Sequence, residues 1–108
     1  MTISRNVVAG NTFMLLLKLL SEKDMYGYEM IAVLGKRSDN VFELKMGTLY
    51  PLLHSLARSG YLDCYDREVN GKLRKYYQIT ASGRKYFERM VEEWRTCASA
   101  VDVMIGGV

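Results

Sequence analysis

The stretch Leu62-Asp63-Cys64-Tyr65-Asp66-Arg67-Glu68-Val69-Asn70-Gly71-Lys72-Leu73-Arg74-Lys75-Tyr76-Tyr77-Gln78-Ile79-Thr80 decides how the rest of the chain is read. Asn70-Gly71 is the strongest short-range hairpin signal, because both central residues of a type I′ turn need positive φ. Placing Val69 opposite Lys72 sets Asp66 against Lys75, Cys64 against Tyr77 and Leu62 against Ile79. Apolar partners then share one face, so the register supports itself. Arg67, Lys72 and Arg74 fall toward the tip, while Tyr77 and Ile79 belong to the core.

Upstream of the hairpin, Gly47-Thr48-Leu49-Tyr50-Pro51-Leu52-Leu53-His54-Ser55-Leu56-Ala57-Arg58-Ser59-Gly60 reads as a helix. Leu49, Leu52, Leu53 and Leu56 follow i, i+3, i+4, i+7 and form its buried stripe, and Gly60 stops it. Lys45, Thr48, Tyr50, Pro51 and His54 are left on the outward, N-terminal part. Pro51 is tolerated there because it lies near the helix start. Further upstream, Asn11 to Leu20 is dense in Leu, Met and Phe and predicts a central helix capped by Asn11 or Thr12. Asp24 is the expected N-cap of a second helix, on which Gly27, Met30, Ile31 and Leu34 share a face and which ends near Gly35. Ser38-Asp39-Asn40 reads as a loop and Val41-Phe42-Glu43-Leu44 as a short strand.

Downstream, Thr80 is placed to cap a last helix that runs from Ala81 almost to the C-terminus. On it Phe87, Val91, Trp94, Ala98, Val101, Ile105 and Val108 are spaced 4, 3, 4, 3, 4, 3. That is a heptad seam, for which a lone monomer has no use, and it predicts a homodimer. The order of elements predicts a mainly α fold with a small β-hairpin: a winged helix-turn-helix over residues 1–80, then a dimerisation helix over residues 81–108, in one continuous domain.

Composition narrows the function. The chain has 108 residues, 49% hydrophobic and 25% charged, which suits one ordinary globular domain. Its longest early apolar run, Phe13 to Leu17, is too short to span a bilayer, and no secretory pattern surrounds it, so a cytoplasmic location is expected. Two cysteines, Cys64 and Cys97, fit neither a disulfide scaffold nor a zinc site and are expected to be reduced, partly buried thiols. With His54 the only histidine, no metal, cofactor or catalytic triad is expected, and an enzyme is disfavoured. The net charge of +3 is unevenly spread. Lys72, Arg74, Lys75, Arg84 and Lys85 occupy residues 72–87 with no acid among them. A concentrated basic stripe attracts a polyanion, and double-stranded DNA is the obvious partner.

At this point the sequence resembles the PadR family of bacterial transcription regulators. The resemblance is carried by Tyr26-Gly27-Tyr28-Glu29, by Gly47-Thr48-Leu49-Tyr50-Pro51-Leu52-Leu53 with Ser59-Gly60-Tyr61-Leu62, and by Gly71-Lys72-Leu73-Arg74-Lys75-Tyr76-Tyr77-Gln78-Ile79-Thr80 with Gly83. It is closest in form to the small members with a single C-terminal helix, among them a lactococcal multidrug regulator. The resemblance implies a homodimer that binds a pseudo-palindromic operator, usually as a repressor, and release by a small molecule in some members. Two departures stand out: Lys45-Met46 replaces the family's usual capping residue, and Leu73 interrupts the basic run of the wing.

In a winged helix the third helix enters the major groove and the wing reaches backbone or minor groove. Thr48, Tyr50, Pro51 and His54 are therefore expected at base edges and nearby backbone, with Pro51 able to touch a thymine methyl. Lys45, Arg67, Lys72, Arg74 and Lys75 are expected on phosphates, joined by Tyr76 through its hydroxyl. Phe87, Val91, Trp94, Ala98, Val101 and Ile105 make the expected dimer interface. The resemblance places Trp94 where multidrug regulators stack flat aromatic compounds. Two indoles across a two-fold axis would sandwich a small hydrophobic or aromatic effector, lined by Met90, Val91, Phe13 and Met14. The alternative is a structural interface tryptophan. A winged-helix protein-interaction module that has lost DNA binding is the competing reading of the whole chain; the basic wing argues against it.

Overall fold

Four leucines of the first helix, Leu16, Leu17, Leu19 and Leu20, are at most 2% exposed, and the rest of the molecule is built round them. The computed structural model describes residues 5–107, with side chains described from residue 10. In chain order it has α1 (Arg5–Glu22), β1 (Met25–Tyr26), α2 (Gly27–Arg37), α3 (Met46–Arg58), β2 (Leu62–Val69), β3 (Lys72–Ile79) and α4 (Ala81–Ile105). Met30 and Leu34 of α2, Leu49, Leu53 and Leu56 of α3, and Leu62, Tyr77 and Ile79 of the hairpin close over the α1 leucines in one core. Leu52, the fourth member of the α3 stripe, is half-buried at the edge of that core.

The hairpin has the expected register, from Val69↔Lys72 through Asp66↔Lys75 and Cys64↔Tyr77 to Leu62↔Ile79. Asn70 and Gly71 stand at φ 52° and 79°, the two positive values that a type I′ turn demands. The sheet is one strand wider than the hairpin alone. Met25 and Tyr26 pair with Tyr77 and Tyr76 on the far edge of β3, so the strand order is β1-β3-β2.

Several expectations are corrected. Val41–Leu44 is not a strand but part of the loop between α2 and α3. Asp39 and Asn40 take positive φ there, and the Val41 and Phe42 amides donate to the Ser38 carbonyl and hydroxyl at 3.1 and 3.0 Å. Those amides are thereby diverted from any ladder. Asp24 does not cap α2, whose N-cap is Tyr26. With β1 inserted between them, the Asp24 carboxylate instead accepts from the Tyr65 hydroxyl at 2.6 Å and from Gln78 Nε2 at 3.4 Å. Helix α1 is already formed at Arg5, the first described residue, so neither Asn11 nor Thr12 caps its start, and Thr12 is buried within it. Both cysteines are exposed, Cys64 on the sheet and Cys97 on α4.

Helix α4 is seated with little tolerance. The Thr80 hydroxyl caps it by accepting from Gly83 N at 3.0 Å, and the same hydroxyl donates to Gly60 O at 2.7 Å. Ser82 Oγ also donates to Gly60 O, at 2.9 Å, and Thr80 N donates to Tyr61 O at 3.0 Å. A Cβ on Gly83 would lie 2.2 Å from the Tyr61 carbonyl oxygen. The Tyr61 and Tyr86 rings stack above this seat, 4.2 Å apart and 6° from parallel.

A second clasp joins α1 to α2. Arg37 donates from Nη1 to Glu22 Oε2 at 2.9 Å and from Nη2 to Glu22 Oε1, and Lys18 Nζ lies 3.4 Å from the same carboxylate. The Arg37 guanidinium, aided by Lys18, holds the Glu22 carboxyl down to about 2 from its ordinary 4.5.

A lowered carboxyl pKa stabilises the fold above pH 4.5, and that contribution is lost as pH falls toward 2. Glu22→Gln should therefore flatten the fall in urea midpoint across that window; an unchanged pH profile would show that the clasp adds nothing. Gly83→Ala should cost about 1–3 kcal/mol in urea unfolding through overpacking against backbone. Gly10→Ala, at a helical position where a Cβ meets nothing within 4 Å, should instead stabilise by about 0.5–1 kcal/mol.

Candidate nucleic-acid interface

Burial of one side of α3 dictates what its other side offers. Leu49, Leu53 and Leu56 face the core, which turns Lys45, Gly47, Thr48, Tyr50, Pro51 and His54 to solvent along the first half of the helix. Lys45 is the N-cap residue and makes no side-chain cap bond. A helix start carries unpaired N–H groups and a partial positive charge, and a lysine in place of a capping oxygen adds to it. This end is built to meet an anion. Pro51 lies deeper than expected, as the sixth helical residue, where it withholds a donor from the Gly47 carbonyl. The defect lies on the exposed side, where water can satisfy that carbonyl.

Helix α2 comes close to this front. A Cβ on Gly27 would stand 3.4 Å from Leu49 Cδ2 and from Met46 Cε, and 3.5 Å from the Tyr50 hydroxyl. Those are ordinary van der Waals distances, so α2 and α3 pack closely at this point with room for a small side chain, and Tyr50 leans back on the crossing while remaining partly exposed. Its ring lies 6.2 Å from that of His54. Gly47 has no such packing reason, since a Cβ there meets nothing within 4 Å. Beneath the front lies the Tyr77 hydroxyl, buried without a hydrogen-bond partner among the described residues and with its pKa pushed up by burial.

On the wing, Arg67, Lys72 and Lys75 are exposed and Arg74 half-buried, and among the described residues none is in a salt bridge. Tyr76 differs from expectation. Its ring is 7% exposed, set between Tyr26 and Tyr65 with the Arg67 guanidinium over it, so what faces outward at that point is the arginine. The Tyr65 hydroxyl, donating to Asp24, has its pKa raised by that bond.

Behind α3 and the wing, Phe87 and Met90 pack α4 onto the core. Trp94, Val101 and Ile105 of the seam are 48%, 49% and 55% exposed, with Ala98 half-buried between them; Val108 lies outside the described residues. A groove of about 780 Å³ opens where α1 meets α4, lined by Met14, Leu15, Phe42, Phe87, Val91 and Trp94 among others. Trp94 and Met14 thus share one groove, whereas Phe13 and Met90 pack against the core instead. Leu15 and Phe42 are lining residues that sequence reasoning missed, Phe42 because its segment reads as a strand.

Close α2–α3 crossing, an outward polar helix front and a basic two-stranded wing define a winged helix-turn-helix DNA-binding protein. The chain belongs to the transcriptional regulator PadR-like family, whose model matches residues 16–89. It is 33% identical over 104 residues to an uncharacterised protein of Lysinibacillus sphaericus, covering 95% of each chain. Among solved structures it is similar to a transcriptional regulator from Clostridium thermocellum, with a TM-score of 0.86 and 33% identity over 94% of this chain and 99% of that one. A PadR family regulator from Eggerthella lenta matches with a TM-score of 0.82 and 27% identity, over 95% and 88% of the two chains. The protein is accordingly a DNA-binding transcriptional regulator and not an enzyme. No helix among the described residues is long and apolar enough to cross a membrane.

Gly47→Ala separates folding from binding on this front. With open space at the site, it should raise stability by about 0.5–1 kcal/mol. If bare backbone there approaches DNA, affinity should fall by about tenfold, or ~1.4 kcal/mol, in an anisotropy titration. Unchanged affinity would remove Gly47 from the interface.

Proposed function

We propose that the chain works as a homodimer joined along α4, which presents two α3 helices to the half-sites of a pseudo-palindromic operator and represses transcription. The observation that carries this reading is the uncovered seam of α4. Trp94, Val101 and Ile105 are about half exposed in a single protomer, on a helix whose first turns already have their partner. Apolar side chains at heptad spacing gain most by packing on a second copy of themselves, and a two-fold axis makes one patch serve both partners.

In this reading Thr48, Tyr50, Pro51 and His54 meet base edges and adjacent backbone in the major groove. Lys45, Lys72 and Lys75 neutralise phosphates, as do Arg67 and Arg74, with Tyr76 supporting them from beneath. Phosphate contacts set position and base contacts set sequence. The groove beside Trp94 takes a small planar hydrophobic or aromatic effector, sandwiched between the two indoles of the dimer. Such a ligand changes DNA affinity by favouring one separation of the two recognition helices over another.

Trp94→Ala should raise the dimer dissociation constant by about 30-fold or more, the cost of ~2 kcal/mol for a central aromatic anchor. Sedimentation velocity across a dilution series checks this, and an unchanged constant would move the seam elsewhere. Trp94 is the only tryptophan, so quenching of intrinsic fluorescence by a planar polyaromatic dye reports this groove alone. No quenching would leave Trp94 a purely structural interface residue.

A further inference from the structure

The outer face of the sheet is organised in rungs. Tyr26, Tyr76 and Tyr65 are register partners across β1, β3 and β2, with neighbouring ring centroids 5.5 and 5.8 Å apart. The next rung toward the tip on this face sets Arg74 directly opposite Arg67. Each guanidinium reaches back one rung and across one strand. Arg67 Cζ lies 5.1 Å from the Tyr76 centroid, and Arg74 Cζ lies 5.2 Å from that of Tyr26. The two groups therefore lie side by side, offset by about one strand spacing, ~4.8 Å.

Like charges directly opposite each other weaken a strand pair; the acid of the hairpin on this face, Asp63, lies two rungs farther from the tip, opposite Gln78. Neither arginine is in a salt bridge among the described residues. Asp66 and Glu68 alternate onto the opposite face. Asp24 lies across the tyrosine rung, where it accepts from Tyr65 and Gln78. Each tyrosine ring shields one side of its guanidinium and fixes its direction by a cation–π contact. What remains is a pair of planar, oriented donors with the same charge, open on one side. That geometry suits a tetrahedral oxyanion, which can accept from both forks at once.

We propose that Arg67 and Arg74 jointly grip a single phosphate group, with Tyr76 and Tyr26 as positioning residues, and that the phosphate belongs to the DNA backbone beside the wing. This rests on the wing lying against DNA as proposed above. The shared grip differs from two separate phosphate contacts in a measurable way. The salt dependence of binding counts phosphates neutralised, at roughly 0.9 per phosphate in log–log slope.

The test is an anisotropy titration of duplex DNA across a salt series, with Lys75→Gln as the reference for one phosphate per protomer, expected to lower the slope by about 2 for the homodimer. The double variant R67Q/R74Q should also lower it by about 2. A fall near 4 would mean two independent contacts per protomer, and no fall would mean none; either overturns the shared grip. Tyr26→Leu should lower affinity by about two- to fivefold in the wild type and cause no further loss in the R74Q background. Equal loss in both backgrounds would make Tyr26 merely structural and overturn its positioning role. Should the wild type bind no DNA, the wing reading fails and the free protein decides the pair alone. An NMR titration with inorganic phosphate should then move the Arg67 and Arg74 side-chain Nε–Hε resonances saturably and together, and static resonances would overturn the site.

Discussion

The tightest glycine contact among the described residues is the approach of Gly83 to the Tyr61 carbonyl, where an added Cβ would have only 2.2 Å. Everything that projects from the body is oriented by this contact. Tyr61 follows the last turn of α3 and precedes β2, while Gly83 opens α4. The hydroxyls of Thr80 and Ser82 both donate to the Gly60 carbonyl and the Tyr61–Tyr86 stack covers the joint, so the exit of α3, the base of the wing and the start of α4 form one rigid corner. The direction of the uncovered apolar seam is thereby tied to the direction of the recognition helix. The proposed homodimer, reading two half-sites, would need that tie, since the separation of its two α3 helices would be set by how α4 leaves each protomer.

The same corner joins the outward front of α3 to the groove between α1 and α4. The groove is walled by Phe87, Val91 and Trp94 of α4 and by Met14 and Leu15 of α1, and α4 is the element that the corner joins to α3. A ligand that wedges these walls has a stiff lever rather than a loop to act on. The charge pattern runs in parallel. The α3 start has Lys45 at its N-cap and the wing tip carries cations outside any salt bridge among the described residues, whereas at the groove Glu88 and Glu92 are matched by Lys18 and Arg95. The basic front and the apolar groove thus occupy separate places on the same frame.

Much of this was legible in the sequence, and the physical reason differs from element to element. Asn70-Gly71 needed no tertiary context, because positive φ at two successive residues is a local demand, and the register from Val69↔Lys72 to Leu62↔Ile79 followed from it. The leucine stripe of α3 and the Thr80 cap were equally local. Strand β1 was not legible: two residues carry no periodicity, and Met25 and Tyr26 become a strand only because β3 offers a free edge. That single omission hid the tyrosine rung, and with it the cover over Tyr76 and the anchoring of Arg74. Val41-Phe42-Glu43-Leu44 failed for the opposite reason. Its alternation looked strand-like, but the Ser38 side chain and two positive-φ residues claimed the backbone first. Phe42 was consequently missed at the groove, while Trp94 was named there from its place on the heptad seam together with the family resemblance.

The most direct measurement is a selection of bound duplexes from a randomised DNA library by the purified protein, followed by sequencing. A rigid corner in each half of a homodimer predicts an inverted repeat with one fixed distance between half-sites, and loss of enrichment when a base pair is added between them. Enrichment of single half-sites, of repeats at unrelated spacings, or of no sequence at all would contradict the account.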